Sequence, residues 1–254
     1  MNRRTAISTL ALAAAPAIAG PVGLRLPGGF DPRQIPGLQL WLDASQIVGL
    51  NDGDAVATWN DVSGNGRDFT QATASSRPVY KTSIINSKPI VRFDGVDDRL
   101  SRANFITTGV GTTFAVARRS GGSAGVQEII GLGSSGGFTG WVALAAKSFG
   151  SANWGVYVNG GWNASSYSLD GVWSTVRFRS DGSANFTLAT NNGTPETITG
   201  AGGFANLFTS NVGDDGYGQY LSGDVACILH YDTQLSVADM NLVEAWLLAQ
   251  YAHY

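Results

Sequence analysis

Two kinds of residue in this 254-residue chain have the type and spacing to act on a ligand: aromatics set among Asn and Ser, and short runs of aspartate. The first fills residues 153–167, NWGVYVNGGWNASSY, with Trp154, Tyr157, Trp162 and Tyr167. Aromatic faces stack on the apolar faces of sugar rings, Asn and Ser bond the ring hydroxyls, and small neighbours leave room for the ligand. A second polar segment, NVGDDGYGQY over residues 211–220, offers Asp214, Asp215, Tyr217 and Tyr220. Trp154 and Tyr157 suit core or cross-strand packing as well as they suit a binding face. Trp162 and Tyr167 lie in looser sequence, where exposure is expected. The carbohydrate-binding set predicted from residue chemistry is Trp154, Tyr157, Trp162, Tyr167, Asp214, Asp215 and Tyr217.

The aspartates test for a metal. Asp61-Val62-Ser63-Gly64-Asn65-Gly66 opens like a calcium loop, but an EF-hand loop needs a bidentate Glu at its twelfth position, and that position is Ala72. The stretches TWND before it and RDFTQ after it are strand-like, so the segment is predicted to be a turn. Gly64 and Asn65-Gly66 supply its positive-φ positions, and Asp61 and Ser63 bond nearby amides. Asp94, Asp97 and Asp98 pose the same choice, and FDGVDD also reads as a turn with solvated charges. No metal ligand set and no cofactor is assigned; calcium is the one ion this pattern would admit.

Catalysis finds little material. Glycoside hydrolysis usually needs two carboxylates at facing positions. Of the three glutamates, Glu128 is on a strand, Glu196 follows Pro195 in a turn, and Glu244 is on the terminal helix. His253 is at the chain end, His230 reads as a packed or edge residue, and no Gly-x-Ser-x-Gly elbow occurs. The chain is expected not to be an enzyme.

The elements that must position these residues are mostly strands. Charged residues are 14% of the chain, glycine numbers 34, and 43% of residues are hydrophobic, which suits short strands joined by turns around a real core. Net charge is −3 with no basic run, so nucleic acid is excluded as a partner. The single Cys227 allows no internal disulfide. Strand signals fall at Leu38–Asp43 (Leu38, Leu40 and Leu42 on one face), 91–93, 112–117, 128–132, 141–147, 154–158, 172–179 and 183–190. A last strand spans 223–231, with Val225, Cys227 and Leu229 on one side. Ser180-Asp181-Gly182 between apolar runs marks a hairpin. Ser236 caps a terminal helix whose Leu242, Trp246 and Ala249 share a face, with Val243 and Leu247 beside it, so it should dock on the sheets.

Residues 1–19 have a basic start at Arg3-Arg4, an Ala/Leu-rich stretch and Ala17-Ile18-Ala19, the pattern of a cleavable export signal of twin-arginine type, although Ala6 stands where such signals favour Phe. The stretch is too short, and too interrupted by Pro16, for a transmembrane anchor. The other reading is a retained attachment arm. Residues 20–35, in a segment rich in Pro and Gly, read as a linker, and 36–254 as one domain.

Four stretches carry a resemblance. Gly37-Leu38-x-Leu40-Trp41-Leu42-Asp43-Ala44, Trp59-x-Asp61-x-Ser63-Gly64-Asn65-Gly66, Val91 to Asp98, and Gly223-Asp224-Val225 through Tyr231-Asp232 to the Leu235-Ser236 helix follow one another in family order. Together they resemble the laminin-G-like branch of the concanavalin-A-like lectin/glucanase superfamily. The resemblance implies an all-β jelly-roll β-sandwich of two antiparallel sheets with one C-terminal α-helix. It leaves function open, because that fold hosts lectins, adhesion modules, glycosidases and virion proteins. The superfamily's glucanases carry Glu-x-Asp-x-x-Glu on a strand, and Glu128 has Ile130 where that motif needs Asp. The expected function is a non-enzymatic glycan-binding or adhesion module that binds polysaccharide and is exported. The alternative is a virion surface protein, held to other virion proteins or to itself by its N-terminal arm.

Overall fold

In the computed structural model the described residues are 29–252, without 107–108, 122–126, 135–141, 146–152, 159–160, 169–170, 183–184, 192, 200–208 and 216–217. The expectations placed on residues 1–28, on Tyr217 and on His253 lie outside them.

The strands in chain order are β1 (Leu38–Asp43), β2 (Thr58–Trp59), β3 (Phe69–Thr70), β4 (Val79–Ile85), β5 (Lys88–Asp94), β6 (Leu100–Ala103), β7 (Val110–Arg119) and β8 (Glu128–Ser134). They continue with β9 (Val142–Ala145), β10 (Asn153–Val158), β11 (Gly161–Ser168), β12 (Ser174–Asp181), β13 (Asn185–Thr190), β14 (Glu196–Thr199), β15 (Thr209–Val212) and β16 (Ser222–Tyr231). The chain closes with helix α1 (Val237–Tyr251). One antiparallel sheet runs β14-β13-β12-β7-β16-β5-β4, with β1 also paired to β16; the other runs β11-β10-β9-β8-β15-β6-β3-β2. This is the all-β sandwich with one C-terminal helix that the sequence predicts.

The first sheet is buried on both sides. Its inner face meets the second sheet through a core that includes Leu40, Leu42, Trp59, Phe69, Phe93, Trp154, Val225 and Ile228. Its outer face carries a second core of Trp41, Phe114, Val116, Cys227, Leu229 and Tyr231, covered by Val243, Trp246 and Leu247 of α1. That double burial explains why β16 reads as a nearly continuous apolar run rather than an alternating one. Trp246 meets Trp41 edge-on, with centroids 5.4 Å apart and planes at 83°. The helix is turned from its expected face: Ala249 is exposed and Leu242 half-buried, while Met240, Val243, Trp246, Leu247 and Tyr251 are buried. Glu244 belongs to the buried face because Arg177 of β12 meets it at 2.7 Å, and the Tyr251 hydroxyl donates to Asp43 at 3.0 Å. Ser236 caps the helix as expected, its hydroxyl accepting from the Asp239 amide at 3.1 Å.

Two register shifts correct the strand faces. Val225 pairs with Ala117 but Cys227 with Val116, so Ala226 is an extra residue in β16. Val225 therefore faces the inner core while Cys227 and Leu229 face the helix, and they do not share a side. In β1, Leu38 pairs with Tyr231 and Leu40 with His230, which leaves Gln39 extra and sends Leu38 to the outer core. A bulge of one residue inverts the faces on either side of it. As a result Ile228 points inward, and His230, two residues on, shares its face.

The packed domain begins before residue 36. Asp31 caps a short helical turn, Pro32–Gln34. The Pro32 carbonyl accepts from the Tyr231 hydroxyl at 3.1 Å, Ile35 is buried, and Arg33 lies over the Trp41 ring at 5.5 Å.

Candidate functional site

The end of the sandwich where β1 begins and β16 finishes holds a cavity of about 110 Å³ lined by Gln39, Arg67, Phe105, Ile106, Val110, His230 and Asp232. Each lining residue is placed by a local device. The turn 61–68 hangs from the Asp61 carboxylate. One of its oxygens accepts from the amides of Trp41 (3.0 Å) and Ser63 (2.9 Å). The other accepts from the Ser63 hydroxyl (2.8 Å) and the Arg67 amide (2.9 Å). Asn65 reaches back to the carbonyls of Leu38 and Gln39, and Gly64 and Gly66 take the positive φ angles of +100° and +67° that the reversal needs. The segment is thus the predicted turn, its acid consumed by donors of the chain itself, and it delivers Arg67 to the cavity. There the guanidinium donates to the Gln39 carbonyl at 2.9 Å.

Phe105 and Ile106 come from the connection between β6 and β7, where the Asn104 side chain accepts from the Ile106 amide (3.0 Å) and donates to its carbonyl (2.9 Å). The Arg67 and Arg102 guanidiniums lie 4.5 and 5.1 Å from the Phe105 centroid. His230 meets the same ring edge-on at 6.2 Å. His230 is 4% exposed, its Nδ1 is 2.9 Å from the Thr113 hydroxyl, and its Nε2 is buried with no partner among the described residues. Burial, with a smaller push from the Arg67 charge, lowers its pKa to about 3, so the ring is neutral at ordinary pH. Next to it Gly111 is obligatory for space: a Cβ there would stand 2.8 Å from His230 Cε1.

Chemically the cavity offers donors (Arg67, Gln39), acceptors (Asp232, Gln39), an imidazole able to act either way, and an apolar side of Phe105, Ile106 and Val110. A cavity of 150 Å³ holds a benzene-sized molecule. One of about 110 Å³ suits a ring substituent or the edge of one ring, not an oligosaccharide.

The predicted binding residues are not gathered into one site. Residues 153–167 form the hairpin β10–β11 at the edge of the second sheet, not a loop, with Tyr157 and Trp162 directly paired. Trp154 is fully buried between the sheets and cannot stack on a sugar, because the inner core needs its ring. Tyr167 is half-buried against that core, its hydroxyl donating to the Thr194 carbonyl at 3.0 Å, so it ties the hairpin to the segment before β14. Asp214 and Asp215 are each 2% exposed. Arg99 reaches Asp214 at 3.4 Å, and Asp215 accepts from the Gln219 amide at 3.1 Å, so both build their own loop rather than project from it. β15 is three strand spacings from β10, roughly 14 Å across the sheet. Asp94, Asp97 and Asp98 do come together, with a ligand oxygen from each within 4.8 Å of the others. They also bond locally: Asp98 accepts from the Asp94 amide (2.9 Å), Asp94 from the Val96 amide (2.8 Å), and Asp97 from Ser76 (2.9 Å).

Sequence reasoning missed Gln39, Arg67, Phe105 and Asp232. The one signal was His230, a polar ring in the apolar run ACILHY. Gln39, Arg67 and Phe105 lie far apart along the chain, and far from His230, and meet only through the fold.

No protein-family model and no curated protein matches the chain. Solved structures do match it in fold. A Trypanosoma rangeli sialidase in complex with 2,3-difluorosialic acid superposes with a TM-score of 0.59 at 13% identity, over 91% of this chain and 35% of its own. The botulinum neurotoxin serotype D binding domain gives 0.60 at 12% identity, over 84% of this chain and 51% of its own. Domain 4 of an extracellular arabinanase from Geobacillus stearothermophilus, solved in complex with arabinotriose, gives 0.52 at 10% identity, over 82% of this chain and 97% of its own. The chain thus spans about a third of the sialidases' length and nearly all of the arabinanase domain. At these identities the likeness is one of fold: a β-sandwich shared with domains from carbohydrate-active and toxin proteins.

Proposed function

We propose that this chain is a non-enzymatic glycan-binding domain of the laminin-G-like, concanavalin-A-like kind, and that it holds part of a sugar in the cavity at the end of the sandwich. The observation that carries this reading is the cavity's lining: hydrogen-bonding groups of both senses beside an apolar wall, which is what a hydroxyl-rich ring with apolar C–H faces requires. The arabinanase domain, which bears arabinotriose in its own structure, supports the assignment at the level of fold.

Binding without hydrolysis fits the carboxylates. Asp232 is the one carboxylate lining the cavity among the described residues, where hydrolysis takes two. Glu244 is tied to Arg177, Glu196 is held by Ser166, and Glu128 is fully buried. The reading extends to an exported or virion-displayed protein that meets extracellular polysaccharide, with many weak sites acting together.

The test is a glycan array on the intact chain, repeated with Phe105→Ala and Asp232→Asn. Both variants should lose binding while melting near the parent. Retained binding in both would move the site elsewhere, and the β10–β11 hairpin with its paired Tyr157 and Trp162 is next in line. Release of reducing ends by pure protein would overturn the non-enzymatic assignment.

A further inference from the structure

We propose that the end cavity selects sugars that carry a carboxylate, and that Arg67, seconded by Arg102, is the group that receives it. The inference rests on the glycan-binding reading and names its substrate class.

The argument begins with ion pairing. Arg33, Arg92, Arg99, Arg118 and Arg177 each meet a carboxylate at 3.4 Å or less. Among the described residues neither Arg67 nor Arg102 has a carboxylate within the 4.0 Å of an ion pair, and the Asp61 beside them spends its oxygens on backbone amides and Ser63. Two guanidiniums nevertheless share one aromatic ring, at 4.5 and 5.1 Å from its centroid. Cation–π attraction holds each of them there, but their charges repel across the ring, and an anion placed between them relieves that repulsion.

Hydrogen bonding points the same way. Arg67 makes one bond, to the Gln39 carbonyl, and its other N–H groups have no acceptor among the described residues. Arg102 donates from Nε to the Ala103 carbonyl (3.0 Å), and its buried Nη1 has no partner among the described residues. His230, more than nine-tenths buried in the cavity wall, leaves Nε2 unpaired as well. A guanidinium fork matches the two oxygens of a carboxylate, and such charge-assisted bonds are about twice as strong as neutral ones. Asp232 at the exposed rim can accept from ring hydroxyls while the carboxylate goes to the arginine side. A neutral sugar would fill the same space and leave the Arg67 guanidinium without a carboxylate.

The experiment compares acid and ester on the intact protein. Isothermal titration is run with polygalacturonate, with its fully methyl-esterified form and with neutral arabinan; sialyllactose against lactose supplies a second source of the carboxylate. Binding to at least one acidic ligand should exceed its neutral counterpart about tenfold or more, and the excess should shrink as NaCl rises from 0.05 to 0.5 M. Arg67→Gln and Arg102→Gln should each lower the acid-to-ester ratio. If either variant fails to fold, the acid-to-ester ratio on the parent protein still decides. Equal affinity for acid and ester, or a preference for the ester, overturns this inference and leaves the glycan-binding reading standing. Absence of binding to every one of these sugars and to the array removes both.

Discussion

His230 offers a direct measure of whether the end cavity is as enclosed as its geometry implies. The perturbation is His230→Gln, which keeps a group able to bond the Thr113 hydroxyl but cannot titrate. In the folded chain burial, then the Arg67 charge, hold the imidazole pKa near 3, while in the unfolded chain it returns to about 6.5. Between those values the unfolded state binds a proton that the folded state refuses, so stability falls as pH drops, by about 1.4 kcal/mol per pH unit. Asp98 works in the opposite sense. Burial, and then the Asp94 charge, push it up to about 6, so the folded state takes the proton first and stability rises as pH falls from there toward about 4. In the parent protein the two slopes largely cancel across that window. In the variant the His230 slope is gone while that of Asp98 remains. Urea unfolding at pH 7.5, 6.5, 5.5 and 4.5 should therefore show the variant gaining on the parent, with the difference growing by about 2.5 kcal/mol from pH 6.5 to 4.5. Parallel profiles would mean that His230 titrates normally, and the picture of a dry, neutral imidazole in the cavity wall would fail.

Three further outcomes follow from the packing. Trp246→Ala removes the ring that meets Trp41 and should cost about 3–5 kcal/mol, read from the shift of the urea midpoint. Glu244→Gln leaves the Arg177 charge, with its side chain 7% exposed, without its carboxylate, and should cost about 3–5 kcal/mol; the double variant Arg177→Met/Glu244→Leu should recover most of that, and failure to recover would show that the pair stabilises rather than merely specifies. Trp162→Ala should leave the melting temperature within a few degrees of the parent if that ring serves ligand and not core, and unfolding would assign it to the core.

Much of the architecture is legible in the residues themselves because it depends on local chemistry. The existence of a strand from Leu38 to Asp43, the Asp181-Gly182 hairpin and the Ser236 cap all depend on neighbours in sequence, and all appear in the structure. So does the turn at Asp61, where Gly64 and Gly66 take the positive φ angles and Asn65 instead holds the turn through its side-chain amide. What the residues alone did not reveal is which way side chains point beyond a bulge. One extra residue at Ala226 and one at Gln39 invert the faces of β16 and β1, and a bulge leaves no mark in composition or periodicity. The same limit governed the aromatics. Trp154 has the residue type of a sugar platform, and its burial is set by the first sheet packing against the strand that carries it. The cavity is tertiary in full. Gln39, Arg67, Phe105 and the His230–Asp232 stretch come from four separate segments, and only long-range strand pairing brings them together, because charge and hydrogen bonding between side chains act over a few ångströms and take no account of distance along the chain.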